Sequence, residues 1–210
     1  MSISGAKLAG GNPARGRVQE DFYATDPETV WLFIQRFHED GESLNSWGGC
    51  KIIEPCCGNG NIVKALKSFD EYSGEGKIIA SDIADRNCEG GRIRDFFTYT
   101  RDEFARDKIA CIITNPPFGE MNSFLSHALY LLPLYGRLVI FSKIQTLEGQ
   151  GRRSYLERGL RYVYVHSTRQ NAWRNGSPVD ERGKKWATTM CMAWFVWVVG
   201  YDGEPVIRWI

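Results

Sequence analysis

CIITNPPFGEMNSF, residues 111–124, reads as a buried strand that two prolines cut short. Cys111, Ile112 and Ile113 are apolar, and Asn115-Pro116-Pro117-Phe118 follows at once. Consecutive prolines cannot donate to a sheet ladder, so the strand has to stop there. A residue before proline is pushed toward extended backbone, which fixes both Asn115 and Pro116. What remains is a stiff strand-end turn offering one amide side chain, one free carbonyl and one aromatic face. Met121 opens an amphipathic helix over 121–132, with Phe124, Leu125, Ala128, Leu131 and Leu132 on one side.

Upstream, KIIEPCCGNGNIVKAL (residues 51–66) has the order strand, glycine turn, helix. Gly58 and Gly60 permit tight backbone and close approach to a ligand, and Asn59 or Asn61 can cap the helix. A lone G-x-G is more often a turn than a nucleotide site. Here an acid, Asp82, ends the next strand (KIIASDI) 22 residues after Gly60, the context a dinucleotide-like site demands. Further back, Thr25-Asp26-Pro27-Glu28 starts a helix whose apolar face is Val30, Phe33, Ile34 and Phe37. Downstream come strands at 137–144 and 161–168, a basic loop and helix at 148–159, a long strand at 190–199 and an edge strand at 206–210. Alternating strands and helices argue for an open α/β sheet, mostly parallel.

TNPPF resembles the catalytic motif of the S-adenosylmethionine-dependent amino-methyltransferases, above all the DNA N6-adenine methyltransferases, whose signature is Asn/Asp/Ser-Pro-Pro-aromatic. The resemblance covers most of residues 20–145 and implies a Rossmann-like class I methyltransferase fold with helices on both faces of the sheet. It makes S-adenosylmethionine the cofactor and Asn115, Pro116, Pro117 and Phe118 the catalytic residues. Glu54-Pro55-Cys56-Cys57-Gly58-Asn59-Gly60 matches the family's glycine motif, so backbone at Gly58 and Gly60 would meet the methionine part, with Glu54 and Pro55 in the same turn. Asp82 would accept from the ribose hydroxyls, with Ile83 beside it. Asp95 would accept from the adenine amine of the cofactor, with Phe96 or Phe97 over the ring; read without the family, Asp95 is a helix cap and both rings are core. Tyr23 and Thr25 fall where the family packs an aromatic and a Thr-Pro pair against the methionine end, although here Asp26 intervenes. Asn115 would face the cofactor's methyl and belongs to both sets.

Composition narrows the rest. With 43% hydrophobic and 13% aromatic residues, 210 residues suffice for one domain, read as 20–210 behind a flexible arm at 1–19 rich in Gly, Ala and Arg. Net charge is only +1, yet residues 143–185 hold ten Lys/Arg against four Asp/Glu, while residues 1–142 hold fifteen against nineteen. Overlapping that basic stretch, 169–189 has no periodicity and carries Arg169, Trp173, Arg174, Arg182, Lys184, Lys185 and Trp186. Cations interleaved with aromatics suit a polynucleotide; the bland alternative is a solvated loop with tucked-in tryptophans. Arg152 and Arg153 on the 148–159 segment join Arg169, Trp173, Arg174, Lys184 and Lys185 as candidate nucleic-acid contacts. Six cysteines without C-x-x-C spacing argue against zinc and for reduced thiols in a cytoplasmic protein. No signal peptide is evident, and the apolar run at 190–200 is too short to span a bilayer.

The chemistry expected is methyl transfer to the N6 amine of adenine in DNA, with the base turned out of the stack and no metal or acid–base pair. A separate target-recognition domain has no room in 210 residues, so a compact, phage-like enzyme is expected, its oligomeric state open. Two rivals remain: the same motif acting on RNA bases or protein glutamine, and a catalytically silent methyltransferase-like binding module.

Overall fold

The proline stop and the glycine turn end their strands on the same edge of one sheet. The protein, here a computed structural model, is described at residues 23–45, 48–170, 173–174, 176–185 and 190–210. The expected arm at 1–19 and Trp186 lie outside the described residues. The chain begins with a two-residue strand β1 (Tyr23–Ala24) and helix α1 (Pro27–Glu39), followed by β2 (Lys51–Glu54) and α2 (Asn61–Lys67). Strands β3 (Ile78–Asp82) and β4 (Arg92–Ile93), helix α3 (Arg101–Arg106) and strand β5 (Ile109–Thr114) come next. After the prolines run α4 (Met121–Leu131), β6 (Arg137–Lys143), α5 (Arg153–Leu156) and β7 (Leu160–Val165). Strands β8 (Trp173–Arg174), β9 (Met192–Val198) and β10 (Val206–Trp209) finish the described chain.

Eight strands make one sheet in the order β10-β7-β9-β6-β5-β2-β3-β4. All neighbours are parallel except β9, which runs antiparallel between β6 and β7. All seven residues of β9 are buried, as expected for a strand covered on both faces. From β2 the chain goes to β3 on one side and later to β5 on the other, so strand order reverses beside β2, where open α/β sheets bind ligands.

Helices cover both faces. Val30, Phe33, Ile34 and Phe37 of α1 pack with α2 on one face, and Phe104 of α3 with Phe124, Leu125 and Ala128 of α4 on the other. Phe33 stacks on Trp194 of β9 at 4.7 Å between ring centroids, and both are fully buried. Removing such a ring typically costs about 3–5 kcal/mol. Asp26 caps α1 by accepting from Glu28 N at 3.0 Å, with Pro27 in the first turn. The extra residue in the Thr-Asp-Pro sequence is thus spent on the cap.

The expected elements shift in four places. Helix 148–159 shrinks to Arg153–Leu156 behind a 3-10 turn, because Gly149 at φ 110° and Gly159 at φ 87° bracket it with non-helical backbone. Strand 161–168 ends at Val165. Neither Asn59 nor Asn61 caps α2: Gly60, at φ 80°, holds the cap position without a side-chain bond, and Asn61 is the first helical residue. The segment 169–189 is not wholly irregular. Its β8 pairs antiparallel with β1 as a separate two-stranded sheet, and Val179 bridges Lys185 around a turn in which Asp180 Oδ1 accepts from Arg182 N and Lys184 N.

Candidate active site

Beyond the carboxyl ends of β2, β3 and β5 lies a cavity of about 380 Å³. Its volume is within the range of small-molecule sites. The turn after β2 forms one wall. Gly58 has φ 51° and Gly60 φ 80°, and a Cβ at Gly60 would meet Cys88 Sγ at 2.9 Å. Cys57 N donates to the Ser81 carbonyl at 2.9 Å, which ties this turn to β3. Gly58 N donates to Asp82 Oδ2 at 2.9 Å. Asp82 Oδ1 accepts from Ala84 N at 3.1 Å and faces Arg86 Nε at 3.4 Å. A carboxylate offers about four lone-pair sites, so Asp82 keeps capacity for a further donor.

Glu54 lies behind this wall, fully buried. Neither of its oxygens makes a well-aligned hydrogen bond, and the Thr114 hydroxyl, likewise without one, is the neighbour that favours its charged form. Burial pushes the Glu54 carboxyl well above the usual range, offset in part by the neighbouring Thr114 and reinforced by Asp82. Asn59, whose side chain lines the cavity, has its Oδ1 buried and unpaired. The orphaned Asn59 oxygen, on the cavity lining, is an acceptor. A bound group that satisfies it has to bring a donor.

The opposite wall comes from the turn after β4. Asp95 Oδ1 accepts from Phe97 N at 2.9 Å and caps the 3-10 turn Phe96–Thr98, so the cap reading of Asp95 is realised while the side chain also lines the cavity. Phe96 is buried and stacks on Phe124 at 4.3 Å, whereas Phe97 is 43% exposed and Ile83 61% exposed, both at the cavity. Two large apolar side chains left in solvent at one mouth offer a place for a planar ring. Arg94 holds this turn against α3: its guanidinium donates to both Glu103 oxygens at 3.0 and 2.9 Å and to the Thr98 carbonyl at 3.0 Å.

Asn115 stands at the end of β5, across the reversal from the glycine turn. Its Nδ2 donates to the Tyr23 carbonyl at 3.0 Å and to Thr25 Oγ1 at 3.2 Å. A backbone carbonyl only accepts, so these contacts fix which end of the amide is nitrogen. Oδ1 is left as the acceptor. The Thr25 carbonyl accepts from Asn61 Nδ2 at 2.9 Å, which pins the segment that holds Asn115. This contact was hidden in the sequence, where Asn61 reads as a cap.

The cavity brings together Tyr23, Thr25, Pro55, Gly58, Asp82, Ile83, Asp95, Phe96, Asn115 and Pro117 from the expected set, and adds Arg86, Glu120 and Phe124. Glu54, Gly60, Pro116 and Phe118 are not on its lining. Phe118 is half-buried against the core on the α1 face, with Lys143 Nζ 4.3 Å from its ring centroid. Arg152 donates from Nε and Nη2 to the Glu148 carbonyl at 3.0 and 2.6 Å, and Arg153 pairs with Glu157 at 2.6 Å. Arg169, Lys184 and Lys185 are exposed, Trp173 is half-buried, and the backbone of Arg174 belongs to β8. Among the described residues no group of three His, Cys, Asp or Glu is placed to hold a metal ion, and no helix is long and apolar enough to cross a membrane.

No protein-family model matches the chain, and no curated protein matches it in sequence. Solved structures do match. The type IIG restriction endonuclease BpuSI superposes with TM-score 0.63 at 17% identity, over 91% of this chain and 27% of that one. A putative class I S-adenosylmethionine-dependent methyltransferase from Listeria monocytogenes gives 0.57 at 11% identity, over 88% and 64%. The M protein of the type I restriction enzyme EcoKI gives 0.52 at 15% identity, over 88% and 45%. The chain therefore spans about a quarter of BpuSI and less than two thirds of the Listeria protein. The fold is that of the class I S-adenosylmethionine-dependent methyltransferases.

Proposed function

We propose that this protein transfers a methyl group from S-adenosylmethionine to the N6 amine of adenine in DNA. The observation that carries the reading is the fixed orientation of Asn115, whose Nδ2 is held by Tyr23 and Thr25 so that Oδ1 stands as a fixed acceptor beside the cavity. An adenine amine is a weak nucleophile because its lone pair is delocalised into the ring. Asn115 Oδ1 and the Pro116 carbonyl would accept from its two hydrogens and stabilise the positive charge that develops on nitrogen. Neither acceptor has to reorganise, since one is held by two hydrogen bonds and the other by two prolines.

The cofactor fits the residues present. Its ammonium would be met by the unpaired Asn59 oxygen, its ribose diol would suit Asp82, and its adenine would suit Asp95 near the exposed Ile83 and Phe97. When bound it supplies an electrophilic methyl on a sulfonium. Phe118 offers the target base a ring to stack on, and the base has to displace Lys143 from that ring or take its other face. A base in a duplex has to leave the stack to reach Asn115.

DNA as the acceptor is supported by the basic residues of 143–185 and by two matched proteins that are, by name, restriction enzymes. The test is incubation with labelled S-adenosylmethionine and, in parallel, unmethylated duplex DNA, RNA and a glutamine-containing peptide. Label in DNA that nuclease removes is the expected result. Label confined to RNA or peptide refutes the acceptor; no label anywhere and no cofactor binding leaves a silent module.

A further inference from the structure

The cavity and the basic segment share one structural element, and it is only two residues long. Tyr23 and Ala24 line the cavity, and in β1 they pair with Arg174 and Trp173 of β8. The Tyr23 carbonyl is also the acceptor that orients Asn115. A second tie lies at the start of α1, where the buried Thr29 hydroxyl donates to Gln170 Oε1. Gln170 is itself oriented, because its Nε2 donates to the carbonyl and the hydroxyl of Thr168 at 3.1 Å each.

A two-stranded ribbon this short has no stability of its own in water. β1 is anchored elsewhere through Asn115 and Asn61, and Gln170, three residues before β8 in the chain, is tied to α1 through Thr29. A ligand that steadies either strand therefore steadies the other. Cofactor in the cavity would contact the β1 side, and a polyanion on the basic segment, to which β8 belongs, would act on the other.

We propose that Gln170, together with the β8 pair Trp173–Arg174, is a positioning element that couples polynucleotide binding at the basic segment to cofactor binding and to the alignment of Asn115. The inference rests on the function proposed above. By linkage the coupling is reciprocal, so DNA tightens the cofactor by the same factor by which the cofactor tightens DNA. Gln170 is a positioning residue, acting on Asn115 only through Thr29, α1 and β1.

The experiment is calorimetric titration of the full chain with S-adenosylhomocysteine, alone and with saturating sheared DNA lacking adenine methylation. The wild type, Gln170→Ala, Gln170→Glu and Thr29→Val are compared. The wild type should bind the cofactor product at least about fivefold more tightly with DNA present, the low end of usual coupling factors. Gln170→Ala and Thr29→Val break one contact from its two sides, so either variant suffices if the other fails to fold. Both should bring the ratio to within about twofold of one while affinity without DNA changes less. Gln170→Glu has no donor for the Thr168 carbonyl that orients the side chain, so it should lose the coupling as well. A merely structural defect would weaken binding with and without DNA alike and leave the ratio untouched. Equal ratios in all four proteins, or no coupling in a wild type that binds both ligands, overturn the inference and leave the proposed function standing. Cofactor binding without any DNA binding removes the function and the inference together.

Discussion

Replacing Asn115 by Ala separates the acceptor site from the cofactor site. The substitution removes Oδ1, the one side-chain acceptor of the strand-end turn, and leaves the Tyr23 carbonyl and Thr25 hydroxyl without their donor. Loss of one preorganised group that stabilises developing charge typically raises the barrier by about 2.7–4 kcal/mol, a fall of about 10²–10³ in turnover. The unpaired Tyr23 carbonyl adds about 1 kcal/mol of lost stability, at the low end because Asn115 is only part-buried. Single-turnover methyl transfer measured beside calorimetric cofactor affinity distinguishes the two effects. Turnover should fall by two to three orders of magnitude while the cofactor dissociation constant moves by less than about tenfold. Asn115→Asp should also be poor here, since a carboxylate has no donor for the Tyr23 carbonyl and would be turned away from it. A fall in cofactor affinity as large as the fall in turnover would refute the assignment of Asn115 to the acceptor amine.

Other substitutions probe the walls of the cavity. Glu54→Gln should leave the protein nearly as stable by denaturant unfolding, because burial already favours the uncharged carboxyl; a large loss of stability would contradict it. Gly60→Ala puts a Cβ at φ 80° and 2.9 Å from Cys88 Sγ, so it should destabilise the fold by about 1–2 kcal/mol from backbone alone. Cys88→Ala in that background should restore only the steric part, measured by denaturant unfolding; full recovery would refute backbone strain. His166 is buried with neither ring nitrogen hydrogen-bonded, and burial pushes its pKa down to about 4 from the usual 6.5. The unfolded chain then binds the extra proton between those values, so stability should be fully present above about pH 6.5 and drop by roughly 3 kcal/mol as pH falls to 4. His166→Phe should flatten that part of the profile, and an unchanged slope would rule out His166 as its source.

What was legible in the sequence was whatever local chemistry enforces. Pro116 and Pro117 had to end β5, Gly58 and Gly60 had to turn, and Asp26-Pro27 had to start α1; each does so. Hydrophobic runs located the strands of the main sheet other than β4, with ends misplaced by one to three residues where no proline or glycine marks them. Illegible were contacts between residues far apart in the chain. Asn115 reaches Tyr23 across 92 residues, and Thr29 reaches Gln170 across 141. Strands β1, β4 and β8 are two residues each, too short for an alternating pattern to show. Asp95 illustrates a third limit: one side chain both caps a turn and lines the cavity, so the two readings weighed from sequence were never exclusive. For Arg152 and Arg153 the sequence showed charge but not the contacts with Glu148 and Glu157 that occupy it.

The central claim is that Asn115 and Pro116 present two acceptors to an adenine amine. It is tested most directly by the identity of the methylated nucleoside. Unmethylated duplex DNA is incubated with the protein and S-adenosylmethionine, digested to nucleosides and resolved by mass spectrometry, with Asn115→Ala alongside. N6-methyladenine formed by the wild type and reduced at least about a hundredfold in the variant is the expected result. Methylation at a cytosine carbon or a ring nitrogen, or N6-methyladenine formed equally by both proteins, would contradict it.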